Sequence, residues 1–338
     1  MNAKQLKKNW PVYVLAALLA AGLIAPLATG ASAPGFFIEV VIGGLMSGVL
    51  YSLVALGFVL IFKASGVFNF AQGAMVLFAA LALARMSEVM PLWVAFGLAI
   101  LIMIVFAWVV ERLVLRHLVN QEGVVLLMAT LGVTYFLDGF GQTVWGSDVY
   151  KIELGLPKEP MILLQNVFDG GVLVGREDLF AAVIAALLVL CLAVFFQKTP
   201  TGRALRAVAD DHQAAQSIGI PLNRIWVIVW AVAGVVALVA GMIWGAKLGV
   251  QFSLQLVALK ALPVVILGGL TSVPGAILGG LIIGVGEKFA EVFLAPVLTS
   301  KFDLAGGGIE YWFAYVLALL FLLVRPEGLF GEKHIDRV

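Results

Sequence analysis

Charge is scarce in this chain. Only 12% of its 338 residues are Asp, Glu, Lys or Arg, about half the share of an ordinary soluble domain, which excludes a sizeable water-facing domain. The formal net charge of +1 excludes a basic nucleic-acid-binding domain. The single cysteine, Cys191, cannot form an intrachain disulfide, and its apolar surroundings read as those of a small core residue. The three histidines, His117, His212 and His334, lack metal-ligand spacing. Each reads as a solvated helix end, so neither a metal site nor an enzyme centre is expected. No G-x-x-x-x-G-K-[ST] stretch occurs, so the chain lacks the loop that cradles nucleotide phosphates. No cofactor is expected in the chain itself.

What abounds is hydrocarbon. Hydrophobic residues make up 62% of the chain and the mean hydropathy is +1.09, the composition of an integral membrane protein. A bilayer core about 30 Å thick takes about 20 apolar residues per helix. Apolar runs place spans near residues 11–29, 40–62, 68–84, 92–110, 124–145, 179–197, 225–246, 256–270, 275–294 and 309–324. The fold class predicted is all-α, a polytopic transmembrane bundle of about ten spans that occupies residues 1–338 as one domain. The third and eighth spans are short enough to read as re-entrant. Lys4, Lys7 and Lys8 before an apolar stretch and Ala31-Ser32-Ala33 also fit a cleavable signal. Pro34 directly after that site disfavours cleavage, so a retained first helix is expected.

Basic residues orient the bundle. With a cytoplasmic N-terminus, 13 of the 21 Lys and Arg fall on the inner side. The longest outer loop, 146–178, is rich in Asp and Glu. An even number of crossings then puts both termini in the cytoplasm.

Two stretches interrupt the hydrocarbon pattern. One is Ser65-Gly66-Val67-Phe68-Asn69-Phe70-Ala71-Gln72-Gly73; the other is "LGGLTSVPGAILGGLIIG", residues 267–284. Irregular backbone at membrane depth must be buried in protein or line a wet cavity. Paired interruptions in two halves of a chain point to an inverted repeat with broken or short helices around a transport pathway. Asn69 and Gln72, three apart, would share one face of a helical turn. That face either lines a pathway or bonds across a close interface permitted by Gly66 and Gly73.

The most distinctive polar stretch is "QKTPTGRALRAVADDHQAAQSIGIPLNRIWVIVW", residues 197–230. It reads as a cytoplasmic loop, 198–224, holding a basic helical segment and a short helix that Gly219 ends before Pro221. Ala214-Ala215 followed after three residues by Gly219 resembles the loop by which ABC-importer permeases dock onto their ATPase subunits. The wider stretch "TPTGRALRAVADDHQAAQSIGI", together with "GVFNFAQGAMVLFAA" and "LPVVILGGLTSVPGAILGGLIIG", is similar in content and order to permeases of the branched-chain amino acid ABC importer family over roughly residues 40–330.

That resemblance implies an inner-membrane permease subunit driven by separate ABC ATPase subunits, with a second, related permease, an external substrate-binding protein and surrounding lipid. It implies contact with the ATPase through Ala214, Ala215 and Gly219, with Arg203 and Arg206 as partners for acidic groups. The chain departs from the family's pattern at Gln72 and Ala74, where many members carry His and an acidic residue, and at Gln213, where the wider pattern has Glu.

A secondary transporter is the rival reading, and it would use ionisable residues within the membrane. Asp138, Lys260, Glu287 and Glu291 are the candidates. Asp138 and Lys260 read as close to the interface, by snorkelling or local pairing, while Glu287 and Glu291 with Lys288 read as a wet outer surface. The pathway candidates are therefore Asn69, Gln72, Asp138 and Lys260. A passive channel would leave the long cytoplasmic loop without a purpose. For the solute, the resemblance points to leucine, isoleucine and valine, although similar permeases serve urea, amides and aromatic acids.

Overall fold

The computed structural model describes residues 34–331 apart from 119–120, 158, 169–170, 211, 303–307 and 326. The expected first span, 11–29, and the signal-peptide question lie outside the described residues. The long helices are α1 (Pro34–Ser65), α2 (Gln72–Ser87), α3 (Leu92–Leu113), α4 (Gly123–Trp145), α5 (Arg176–Lys198) and α8 (Leu222–Leu248). Between the last two lie α6 (Pro200–Asp210) and α7 (His212–Ser217). The chain then runs through a 3-10 turn (Phe252–Leu256), α9 (Val257–Lys260) and α10 (Leu262–Gly268) to α11 (Val273–Phe289). A π-helical stretch (Ala290–Leu294) leads to α12 (Ala295–Phe302), and α13 (Ile309–Val324) follows. The described strands are a small hairpin, with β1 (Met161–Leu163) antiparallel to β2 (Val172–Val174).

Among the described residues, five helices are alone long and apolar enough to cross a membrane, namely α1, α3, α4, α5 and α8. The two weak spans of the sequence are weak here too. Helix α2 has only 16 residues, and the eighth is divided into the 3-10 turn, α9 and α10. The chain turns by 116° between Phe252–Gly268 and Val273–Thr299. Helix α2 forms the centre of the bundle, buried without interruption from Gln72 to Ala84.

Apolar residues all round a helix fit either a protein interior or lipid, so packing is decided by small residues. Helices α1 and α11 cross where Gly44-x-x-x-Gly48-x-x-x-Ser52 meets Gly280-x-x-x-Gly284. A Cβ on Gly280 would stand 2.6 Å from the Gly48 carbonyl, and one on Gly44 would stand 2.7 Å from the Cα of Val285. In lipid, such close backbone approach is itself the driving force, because burying hydrocarbon among hydrocarbon gains little. Ser52 Oγ lies 2.8 Å from the Gly48 carbonyl and 3.0 Å from that of Ile277 across the interface.

Cys191 corrects the sequence reading. It faces outward from α5, because an apolar run does not distinguish a core face from a lipid face.

Candidate functional site

Helix α2 begins inside the bundle rather than at its end. The Gln72 amide packs against Gly57, eight residues before the end of α1 and thus about 12 Å up that helix. Residues 66–71 therefore climb back along α1 outside any helix, with Gly66 N still bonded to the Phe62 carbonyl at 2.7 Å. Their freed N–H groups find side-chain acceptors: Ser65 Oγ takes that of Val67 at 3.3 Å, Thr130 Oγ1 that of Phe70 at 3.3 Å, and Asn69 Oδ1 that of Ala71 at 3.1 Å. This is how irregular backbone persists in a bilayer.

Asn69 thus holds the turn into α2. It stands before the helix and not on its first turn, so the expected shared face of Asn69 and Gln72 is not formed. Gly66 adopts φ +70 with open space around it, so it serves the turn and not close packing. Gly73 does permit close packing: a Cβ there would collide with the Gln255 carbonyl and approach Ala258 Cβ at 3.2 Å.

Gln255 belongs to a second irregular stretch, 249–256, which begins where Val250 pairs with Tyr150. Arg85 lies 5.0 Å over the Tyr150 ring, and Gly73 is twelve residues, about 18 Å, back along α2. The stretch therefore dips well into the bundle to meet the start of α2. The second interruption expected from sequence, 267–284, contains the turn at the opposite end, where Lys63 Nζ donates to the Thr271 carbonyl at 3.3 Å. An apolar cleft of about 180 Å³ opens where the two irregular stretches meet, walled by Phe58, Phe68, Phe70, Leu256 and Leu259.

Gln72 is fully buried, and neither atom of its amide has a partner among the described residues. An unpaired buried amide costs about 1–3 kcal/mol. We expect Gln72→Met, of similar length and apolar, to raise the detergent melting midpoint of the chain; a lowered midpoint would show that the amide is satisfied in the membrane.

The ionisable candidates separate. Asp138 stands on α4 among exposed Tyr135, Phe136 and Phe140, with Oδ1 buried and without a partner among the described residues, apart from the other candidates. Glu291 pairs with Lys288 on the surface at 2.7 Å. Glu287 overturns the expected wet surface: it is buried, its Oε1 accepts from Tyr51 Oη at 3.0 Å, and Lys260 Nζ lies 3.6 Å away. Lys260 also sits 4.6 Å from the centroid of the Tyr311 ring. Its partner is in the protein, so it has no need to snorkel.

At the end of the bundle, Thr199 caps α6, accepting from Gly202 N at 3.1 Å with Pro200 in the first turn, the arrangement that starts a helix best. Arg203 is exposed. Arg206 turns inward, donating to the carbonyls of Phe196 and Gln197 that end α5. Helix α7 closes on Gly219 at φ +87, with Gly219 N bonded to the Gln216 carbonyl and Ile220 N to that of Ala215, both at 3.0 Å. This double bond pattern needs a left-handed residue, hence glycine. Ala215 is buried, while Ala214 and Ile218, one turn apart, share an exposed face. Ile218, 73% exposed, was missed in the sequence; its signal is an apolar residue between Ser217 and the helix-ending glycine.

Residues 40–325 match the family described as branched-chain amino acid transport system, permease component. The chain belongs to this permease family. It is 28% identical over 325 residues to the high-affinity branched-chain amino acid transport system permease protein LivH of Escherichia coli K12, covering 90% of this chain and 98% of that one. It is 29% identical over 317 residues to the corresponding permease BraD of Pseudomonas aeruginosa, with 89% and 98% covered. A probable permease of this type from Methanocaldococcus jannaschii is 26% identical over 301 residues, with 86% and 91% covered. Membership makes the chain a multi-pass transport subunit. No group of three or more metal-ligating residues occurs among the described residues.

Proposed function

We propose that this permease is the membrane subunit of an ATP-driven importer for leucine, isoleucine and valine in the bacterial inner membrane, with both termini in the cytoplasm. The observation that carries the reading is the exposed Ala214 and Ile218 face on α7, in a permease-family chain that lacks a phosphate-binding loop of its own. A short capped helix with one apolar side out, at an otherwise polar end, is complementary to a groove on another protein. In this reading the groove belongs to an ATPase subunit that holds ATP and Mg, while Arg203 meets its acidic groups. Arg206 then acts within the chain, joining α6 to α5 so that a push on α7 is passed to the membrane helices.

Alternating access follows from a rigid part and yielding parts. The α1 and α11 pair, closed backbone to backbone, moves as a body. Residues 66–71, held by single side-chain bonds, and 249–256, held by a single backbone bridge to Tyr150, are where the chain bends. The second permease completes the pathway, and an external binding protein delivers the solute.

The test is purification from the native membrane in mild detergent, followed by identification of every bound protein. Phosphate-loop ATPases together with a second permease are expected. A chain recovered alone, moving solute under an ion gradient without ATP, would overturn the proposal in favour of a secondary transporter.

A further inference from the structure

Tyr51, Glu287 and Lys260 form a charged group deep in the membrane domain. Tyr51 lies 17 residues from the start of α1 and 14 from its end, about 25 Å and 21 Å along the axis. Glu287 lies 14 residues into α11, about 21 Å from its start. An unpaired charge at such depth is costly, and a buried pair stabilises a fold no better than apolar residues of similar volume. Packing alone therefore does not account for it.

The geometry of the pair is incomplete. The 3.6 Å separation of Lys260 Nζ from Glu287 Oε1 is longer than a charge-assisted hydrogen bond. Oε1 also accepts the hydrogen bond from Tyr51 Oη, and both contacts of the carboxylate seen among the described residues fall on Oε1, leaving Oε2 for another donor. Trp244 stacks on Tyr51 with ring centroids 6.1 Å apart, and its Nε1 is buried without an acceptor among the described residues. Tyr311, beneath the Lys260 ammonium, is 61% exposed, so the group is open on one side. The π-helical stretch that starts three residues after Glu287 is of a kind that recurs at functional sites.

We infer that Glu287 and Lys260 form a binding site for the zwitterionic head of an α-amino acid in the translocation pathway. The inference rests on the proposed importer function and assigns the solute's charged end to residues. The incoming ammonium binds the Glu287 carboxylate through Oε2, and the incoming carboxylate binds the Lys260 ammonium. The 3.6 Å pair opens to admit two new pairs, and net charge at the site stays at zero throughout. A solute carrying one charge alone would leave either Lys260 or Glu287 uncompensated. The site thus selects for zwitterions, and the solute's side chain is left to be read elsewhere.

The experiment uses the whole importer, reassembled in liposomes with its ATPase subunits, second permease and binding protein, and measures ATP-driven uptake of labelled leucine. Glu287→Gln and Lys260→Met are each expected to remain assembled, as read by co-purification, and to lose uptake roughly tenfold or more, the size of effect from removing one partner of a buried pair. The exchange Glu287→Lys with Lys260→Glu, which restores an ion pair but reverses its direction, is expected not to restore uptake. Should a single variant fail to assemble, Glu287→Asp and Lys260→Arg keep both charges and are expected to assemble with a raised KM for leucine delivered by the binding protein. Wild-type uptake in the single or conservative variants, or full recovery in the exchanged pair, would reduce the group to a structural ion pair and overturn the inference. A wild-type complex that moves no leucine would instead sink the importer reading, and this site with it.

Discussion

Gly280→Val is expected to remove folded protein from the membrane almost entirely. A side chain at this position meets backbone from the first atom: its Cβ would lie 2.6 Å from the Gly48 carbonyl and 2.9 Å from Ser52 N. No rotamer change relieves a collision with backbone, so α1 and α11 must separate along their length. Overpacking in a core costs about 1–3 kcal/mol and occasionally more, against a total stability of about 5–15 kcal/mol for a typical domain. Here the cost exceeds that range, because the collision is with backbone, separated helices lose their close contacts, and lipid supplies no hydrophobic force to bring them back. Even Gly280→Ala, which adds only the Cβ, is expected to lower the detergent melting midpoint by several degrees. Gly97→Ala on α3 is the control. Nothing lies within 4 Å of a Cβ there, and alanine favours a helix by about 1 kcal/mol over glycine, so the midpoint should hold or rise. Equal melting of the Gly280 and Gly97 variants would refute the crossing.

The same crossing shows what a single sequence offers and withholds. Five of the ten expected spans, α1, α3, α4, α5 and α8, were legible because each is an apolar run of sufficient length, and the weakness of the third and eighth was legible because both runs are short. The break at 66–71 could be read from Gly66, Asn69 and Gln72, residues that hydrocarbon does not favour. The gap between the spans ending at 246 and starting at 256 was legible too, but not that 249–256 dips into the bundle to meet α2, since nothing in "GVQFSLQL" names Gly73 as its neighbour. The Gly-x-x-x-Gly spacing on α1 is plain in the sequence, and so is that on α11, but nothing in either stretch names the other as its partner. The same holds for Glu287. Its neighbours Lys288 and Glu291 are local and were read correctly as surface, whereas Tyr51, its hydrogen-bond donor, lies 236 residues away. Cys191 failed for a related reason: inward and lipid-facing positions carry the same residue types, so composition cannot place them.

Ile218→Asp is expected to uncouple the permease without unfolding it. Ile218 has 73% of its surface open and packs little against the chain, so its replacement leaves the bundle's own contacts in place. Ala215, buried beside it, keeps α7 anchored. If α7 seats in an ATPase groove, Ile218 is its largest apolar anchor, and a carboxylate there would be buried unpaired. Truncating or charging such an anchor typically costs about 2 kcal/mol or more in binding, a loss of roughly 30-fold in affinity. The chain should therefore accumulate and melt as the wild type does, yet lose its ATPase subunits on purification, with uptake falling about as far. Gly219→Val tests the same contact by another route. Its left-handed backbone costs an L-residue about 1–2 kcal/mol, a strain that falls on the two bonds closing α7, so the helix end should fray and part of the ATPase binding be lost. A graded result, with Ile218→Asp the more severe, is what a docked helix end requires. Retention of the ATPases by Ile218→Asp, with wild-type uptake, would place the docking surface elsewhere and leave α7 a solvated corner between α6 and α8.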